Sequence, residues 1–270
     1  MDQIEPGVYG ALNYCPRKFA LDSFSILKNT NRCYDLIVDV GAGDGGITKL
    51  LATSVRHQHI VGVDVDPVMT NYADTNNKGE TIEYVTQDMS VGWHELSPGV
   101  RELESKVDLI FSNFVLHYIP DRQQLVNTFS RLLSTTGSGG VLHANIIILA
   151  DLNKKLVKTN SGYQPLKMWY QSCDKQLAEW EQSLRDNQLV IKEFKVIEDI
   201  WQLNRKEIID FLPVLIHDFR PYFQHQSDFD AELADHLPNT VFDAYVNSDA
   251  RHPNPEAWTQ FLADTTVAEL

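Results

Sequence analysis

The sequence predicts an α/β protein built on a doubly wound, mostly parallel sheet. Between residues 35 and 150, apolar runs alternate with amphipathic stretches, and five of those runs have the length of buried strands. The first run breaks into a glycine-rich turn that leads into a helix. Strands separated by helices run parallel, because the helix carries the chain back along the sheet before the next strand begins.

Residues 36–40, 59–63, 81–86, 107–112 and 140–149 are the expected strands, and 46–54, 67–76 and 121–133 the expected helices between them. Ahead of the first strand, residues 17–28 space Phe19, Ala20, Phe24 and Leu27 as one face of a helix. Pro16 suits its first turn. Beyond residue 150 the pattern predicts polar, aromatic-rich helix over 152–187, a strand over 190–200, helices over 205–219 and 228–244, and a last strand over 257–263.

Bulk properties exclude several function classes. A chain of 270 residues, 43% hydrophobic, can bury a sizeable core. The 37 acidic residues outnumber 23 basic ones, giving a formal charge of −14 with no Lys/Arg run, so a nucleic acid partner is not expected. No segment approaches the roughly 18 apolar residues of a membrane helix, and MDQIEPGVYG has no basic region followed by an apolar stretch. A cytoplasmic protein without a membrane span is expected. Cys15, Cys33 and Cys173 are scattered and odd in number, which predicts neither a disulfide framework nor a metal site.

The chemistry concentrates in Val38-Asp39-Val40-Gly41-Ala42-Gly43-Asp44-Gly45-Gly46, a strand running into a turn and a helix. Glycines there allow a tight turn and a close approach of backbone to a bound nucleoside. Gly41, Gly43 and Gly46 also satisfy the dinucleotide pattern, which by itself is weak. Charge separates the two readings. A pyrophosphate favours the positive end of a helix, whereas Asp39 and Asp44 bring carboxylates to that place. S-adenosylmethionine carries an ammonium and a sulfonium and no phosphate, so acids attract it. Asp64 stands at the end of the second strand, roughly 20 residues beyond the glycines, the spacing at which an acid binds ribose hydroxyls. Asp66 and Pro67 already supply the next helix start. After the third strand, Asp88 is placed to accept from an adenine amino group and Met89 to pack on its ring.

The ordered series of glycine turn, Asp64, Asp88 and Phe111-Ser112-Asn113 resembles class I S-adenosylmethionine-dependent methyltransferases across about residues 35–150. That resemblance implies a Rossmann-like fold and a cofactor set of Asp39, Gly41, Ala42, Gly43, Asp64, Val65, Asp88, Met89, Asn113 and Phe114. Within it, Asp39 and the glycines serve the methionyl end, Asp64 the ribose and Asp88 the adenine. It also implies an organisation of three parts: an N-terminal helical cap over 1–34, a cofactor-binding core over 35–150, and helical substrate-cap segments plus sheet-completing strands over 151–270.

The fourth strand continues into Leu116-His117-Tyr118, beyond the carboxyl end, where ligands of open α/β sheets bind. This segment is similar to the Leu-His-Trp segment of arthropod juvenile hormone acid O-methyltransferases. Tyr9 and Asn13 are similar to that family's opening, and Glu198 to Trp201 and Glu207 to Pro213 to its late strand and substrate-facing helix. Two departures stand out: Tyr118 replaces the tryptophan, and the expected glutamine falls at Pro16 or Arg17. The resemblance implies methylation of a small, apolar carboxylic acid, with His117 and Tyr118 as catalytic residues and Tyr14, Arg17 and Trp169 beside them at the acceptor. Three alternatives remain open: an amine or phenol acceptor with His117 as base, a nicotinamide dehydrogenase, and a cofactor-binding relative that is not an enzyme. Oligomeric state has no signature in the sequence.

Overall fold

The computed structural model describes residues 5–148, 162–198, 222–225, 227 and 257–264. The predicted helices over 205–219 and 228–244 lie outside the described residues. So do residues 199–201 and 207–213, on which part of the family likeness rests.

Two helices open the chain, α1 (Pro6–Leu12) and α2 (Tyr14–Asn29). The core follows as β1 (Tyr34–Val40), α3 (Gly46–Ser54), β2 (His57–Asp64), α4 (Pro67–Asn76) and β3 (Ile82–Thr86). It continues through the short α5 (Pro98–Arg101), β4 (Leu109–Asn113), α6 (Arg122–Leu132) and β5 (Val141–Ile147). Then come α7 (Cys173–Asp186), β6 (Val190–Glu198) and β7 (Ala257–Asp264). The seven strands form one sheet in the order β3-β2-β1-β4-β5-β7-β6. The β1·β2, β2·β3, β1·β4 and β4·β5 pairs are all parallel. The order reverses between β1 and β4, so their carboxyl ends flank the switch point at which such sheets bind ligands. This is the Rossmann-like α/β fold.

Alternation along each strand sorts side chains to the two faces. Ile37, Leu109 and Phe111 pack with Ala20, Phe24 and Leu27 of α2 and Leu51 of α3. Val38, Val40, Ile110, Leu142, Ala144 and Ile146 pack on the other face with Leu125, Val126 and Phe129 of α6 and Trp180 and Leu184 of α7. Burying each large apolar side chain contributes about 1.5–3 kcal/mol, so α2 is held by the stripe its sequence predicts. The buried Arg122 joins α6 to α7, donating to Glu179 at 2.8 Å and lying over the Trp180 ring.

The chain divides into two compact units. One comprises Met1–Leu12, Ile147–Leu177 and Val196–Trp258, the other Asn13–Ile146, Ala178–Lys195 and Thr259–Leu270. In the first, the Trp169 ring meets Tyr222 edge-on at 4.7 Å and Tyr163 packs on Phe223 at 4.9 Å. The helix expected over 152–187 is not continuous within its described part: residues 162–166 are not helical, Lys167–Tyr170 is a single 3₁₀ turn, and α7 starts at Cys173. Pro165 has no N–H and disfavours helical backbone before it, which accounts for the break. Among the described residues, no helix is long and apolar enough to cross a membrane.

Candidate functional site

Alternation puts Asp39 on the same face as Ile37, toward α3, where Thr48 sits two residues into the helix. Thr48 Oγ1 donates to Asp39 Oδ2 at 2.7 Å. Asp39 is 2% exposed. Burial pushes its carboxyl up to about 7 against the lowering effect of Thr48, and the nearby Asp64 adds to the rise. Burial likewise raises Asp44, whose Oδ1 accepts from the Gly46 N–H at 3.1 Å; the Arg17 guanidinium opposes the rise. Asp64 is raised by burial as well, although Gly43 N–H donates to its Oδ2 at 2.8 Å and Asp66 N–H to its Oδ1 at 2.9 Å. Asp66 caps α4 by accepting from Val68 N–H, so Asp64 is not that helix's cap.

Gly41 adopts a φ of +81°, in the left-handed region, and a Cβ on it would stand 2.0 Å from Val115 Cγ2. The turn therefore lies directly against the loop that follows β4. Its N–H groups are engaged within the protein. Gly41 and Ala42 donate to the Val63 carbonyl, Gly43 to Asp64, Gly45 to the Ala42 carbonyl and Gly46 to Asp44. A pyrophosphate needs such donors free. The turn is bordered by the buried carboxyls of Asp39 and Asp44 and the half-buried one of Asp64 instead, an arrangement that suits a cation.

Val65, next to Asp64, is a large apolar side chain left 62% exposed. Asp88 is half-buried, with Oδ1 accepting from Ser90 N–H at 2.8 Å. Met89 is buried in the core with Val63 and Trp93, so in this structure its side chain is a packing group. Asn113 ties two elements together, its Nδ2 donating to the Pro16 carbonyl at 2.9 Å and its Oδ1 accepting from Asn145 at 2.8 Å. Phe114 takes a φ of +61°, costly for an aromatic residue, and tilts against Phe19 at 5.5 Å.

His117 and Tyr118 lie on a 3₁₀ turn, Leu116–Tyr118, with ring centroids 4.1 Å apart. His117 is buried and Tyr118 half-buried. Burial lowers the imidazole to about 3, so it is neutral at physiological pH. Arg17 is exposed on α2 and acts electrostatically on Asp44. Tyr14 opens α2, and its side chain lies outside the described residues. Trp169 belongs to the other compact unit, where it is buried.

Sequence reasoning missed Thr48, Val115 and Asn145. Thr48 and Val115 carry no motif. Asn145 had a readable signal: with His143 it alternates with apolar residues in a strand whose both faces are covered, and a buried polar residue there needs a partner.

Residues 38–139 match a family model described as a methyltransferase domain. That match covers residues 38–139 of the 270, and the sheet order above is Rossmann-like. Among curated relatives, malonyl-[acyl-carrier protein] O-methyltransferase of Acetivibrio thermocellus is 31% identical over 39% of this chain and 33% of its own length. Juvenile hormone acid O-methyltransferase of Bombyx mori is 22% identical over 60% of this chain and 54% of its own. The chain thus spans between a third and about half of these two relatives. A crystal structure of geranyl diphosphate C-methyltransferase from Streptomyces coelicolor, with Mg2+, geranyl diphosphate and S-adenosyl-L-homocysteine, aligns with a TM-score of 0.55 at 15% identity, covering 93% of this chain and 80% of that one. At that identity the likeness carries the fold.

Proposed function

We propose that this chain uses S-adenosylmethionine to methylate the carboxylate of a small, apolar carboxylic acid. The observation that carries the cofactor is the glycine turn itself, with its N–H groups engaged internally, Asp39 and Asp44 buried and Asp64 half-buried around it. S-adenosylmethionine, when bound, supplies an electrophilic methyl group on a sulfonium. Asp39 and the turn of Gly41, Ala42 and Gly43 would face its methionyl end. Asp64 would accept from the ribose hydroxyls with the carboxylate capacity its backbone partners leave. Asp88 and the exposed Val65 would take the adenine, with Met89, Asn113 and Phe114 forming the wall behind it.

On the acceptor side the buried, neutral His117 is a weak base and a good hydrogen-bond donor. That suits an acceptor already ionised near neutral pH, as a carboxylic acid is. His117 and Tyr118 would orient the carboxylate, with Arg17 and Tyr14 of α2 beside them. Most of the acceleration would come from alignment, which is worth about 7–11 kcal/mol in well-oriented reactions. The acids named in the O-methyltransferase relatives, malonyl on acyl-carrier protein and juvenile hormone acid, support this acceptor class.

The test is to incubate the full chain with methyl-labelled S-adenosylmethionine and a panel of fatty, terpenoid and small dicarboxylic acids. Base-labile label in an ester fraction is expected. Label appearing only on amines or phenols, or no transfer to any acceptor, would overturn the acceptor class.

A further inference from the structure

Helix α2 is fastened across the carboxyl ends of β4 and β5 by two asparagines. Asn113 and Asn145 are partners in the parallel register, so their side chains leave the same face of the sheet, toward α2. The Pro16 carbonyl only accepts, so Asn113 must present its NH2 there and its Oδ1 toward Asn145. Asn145 must then donate, which it does at 2.8 Å. The same Asn145 Nδ2 stands 2.9 Å from Ser23 Oγ and 3.4 Å from the Phe19 carbonyl. Three acceptors therefore compete for two N–H bonds. Its Oδ1 meanwhile is buried without a partner, a rare state for an amide oxygen. The orphaned oxygen costs stability, and what Asn145 supplies in return is a donor to Asn113 and to α2.

We propose that Asn145 is a positioning residue that, through Asn113 and Ser23, latches α2 in the position that closes the acceptor side of the site. The latched helix carries Arg17, which acts on Asp44, and Phe19, which packs on Phe114. Competition among the three acceptors makes the latch weak enough to open and re-form, as admission of an acceptor requires. The latch itself stands on the hydrogen bonds, whereas its effect on turnover rests on the function proposed above.

Two measurements on the full chain test it. By hydrogen exchange, Asn145→Ala should speed exchange in residues 14–23 by about tenfold or more while leaving β1–β3 protected as before. In steady-state assays the acceptor KM should rise about tenfold while S-adenosylmethionine affinity stays within about twofold, a split that general destabilisation does not produce. Ser23→Ala, which leaves both asparagines in place, should give the same pattern at smaller amplitude and decides the matter if Asn145→Ala does not fold. Unchanged exchange in α2, or faster exchange with an unchanged acceptor KM, would overturn the latch. If the unaltered protein methylates no acid at all, the functional reading falls while the exchange result still decides whether Asn145 holds α2.

Discussion

At the ends of β1 and β2, site groups find partners close along the chain: Thr48 lies nine residues from Asp39, and Gly43 lies 21 from Asp64. At the ends of β4 and β5 the partners are remote, with Asn113 bonded to a residue 97 positions away and Asn145 to one 122 away. The first half is one βαβ unit whose turn geometry and acids are written consecutively. The second half exists only once the N-terminal helix has docked on the sheet. On the function proposed above, the cofactor side survives changes elsewhere, whereas the acceptor side depends on where α2 sits.

The sharpest way to break that division is at Gly41. A methyl group there must clear the Val115 side chain and hold a left-handed φ, which costs about 1–2 kcal/mol for a non-glycine residue before any clash. Gly41→Ala is expected to weaken S-adenosylmethionine binding on the order of a thousandfold by calorimetry, about 4 kcal/mol. Adding Val115→Ala should recover about tenfold of it by relieving the clash and leaving the strain.

Asp64 comes next. Asp64→Ala removes the proposed ribose acceptor and strips two backbone N–H groups of their partner, so cofactor affinity should fall about a hundredfold. Asn145→Ala, in the other half, should leave that affinity within about twofold and raise acceptor KM instead. Equal losses from the two substitutions would erase the distinction between the halves.

Asp39 tests the electrostatics. Its folded value of about 7 lies above the ordinary 3.8, so the folded, ligand-free protein keeps a proton that the unfolded chain releases. Stability of the ligand-free protein therefore falls as pH rises through that window, and Asp39→Asn should raise its Tm near pH 8 by a few degrees, about 2–4 °C per kcal/mol relieved. A bound cation needs the ionised carboxylate, so cofactor affinity should drop about tenfold per pH unit below about 7. Titrations across pH should find that slope flattened in Asp39→Asn. A slope unchanged by the substitution would place the titrating group elsewhere, at Asp44 or Asp64.

How much of this was legible follows the same division. The helices over 46–54 and 67–76 have the bounds the sequence predicts, because a glycine turn marks one start and Asp66 with Pro67 marks the other. The five core strands were read to within a few residues, since doubly covered strands are short apolar runs. The carboxyls around the glycine turn were legible as charge in the wrong place for a phosphate. What the sequence could not give was Asn113 as a tether, Met89 as a core residue, or burial deep enough to take His117 to about 3. Each depends on a neighbour distant along the chain. The break at Pro165 was readable from the proline itself, which the expected helix over 152–187 ran across.

His117→Ala carries the smallest expected effect and separates the two acceptor chemistries. If the imidazole only orients a carboxylate, its loss removes one hydrogen bond, and kcat should fall about tenfold without vanishing. Because burial keeps the group neutral down to about 3, the ratio of unaltered to variant kcat should be constant between about pH 5.5 and 8.5. An ascending limb present in the unaltered protein and absent in the variant would make His117 a base and move the acceptor to an amine or phenol. Stability gives an independent reading of the same group. A histidine held neutral in the fold but titrating near 6.5 when unfolded contributes stability above that pH and loses it as pH falls toward 3. His117→Ala should therefore flatten the loss of Tm on acidification below about pH 6.5, even where its effect on turnover is slight.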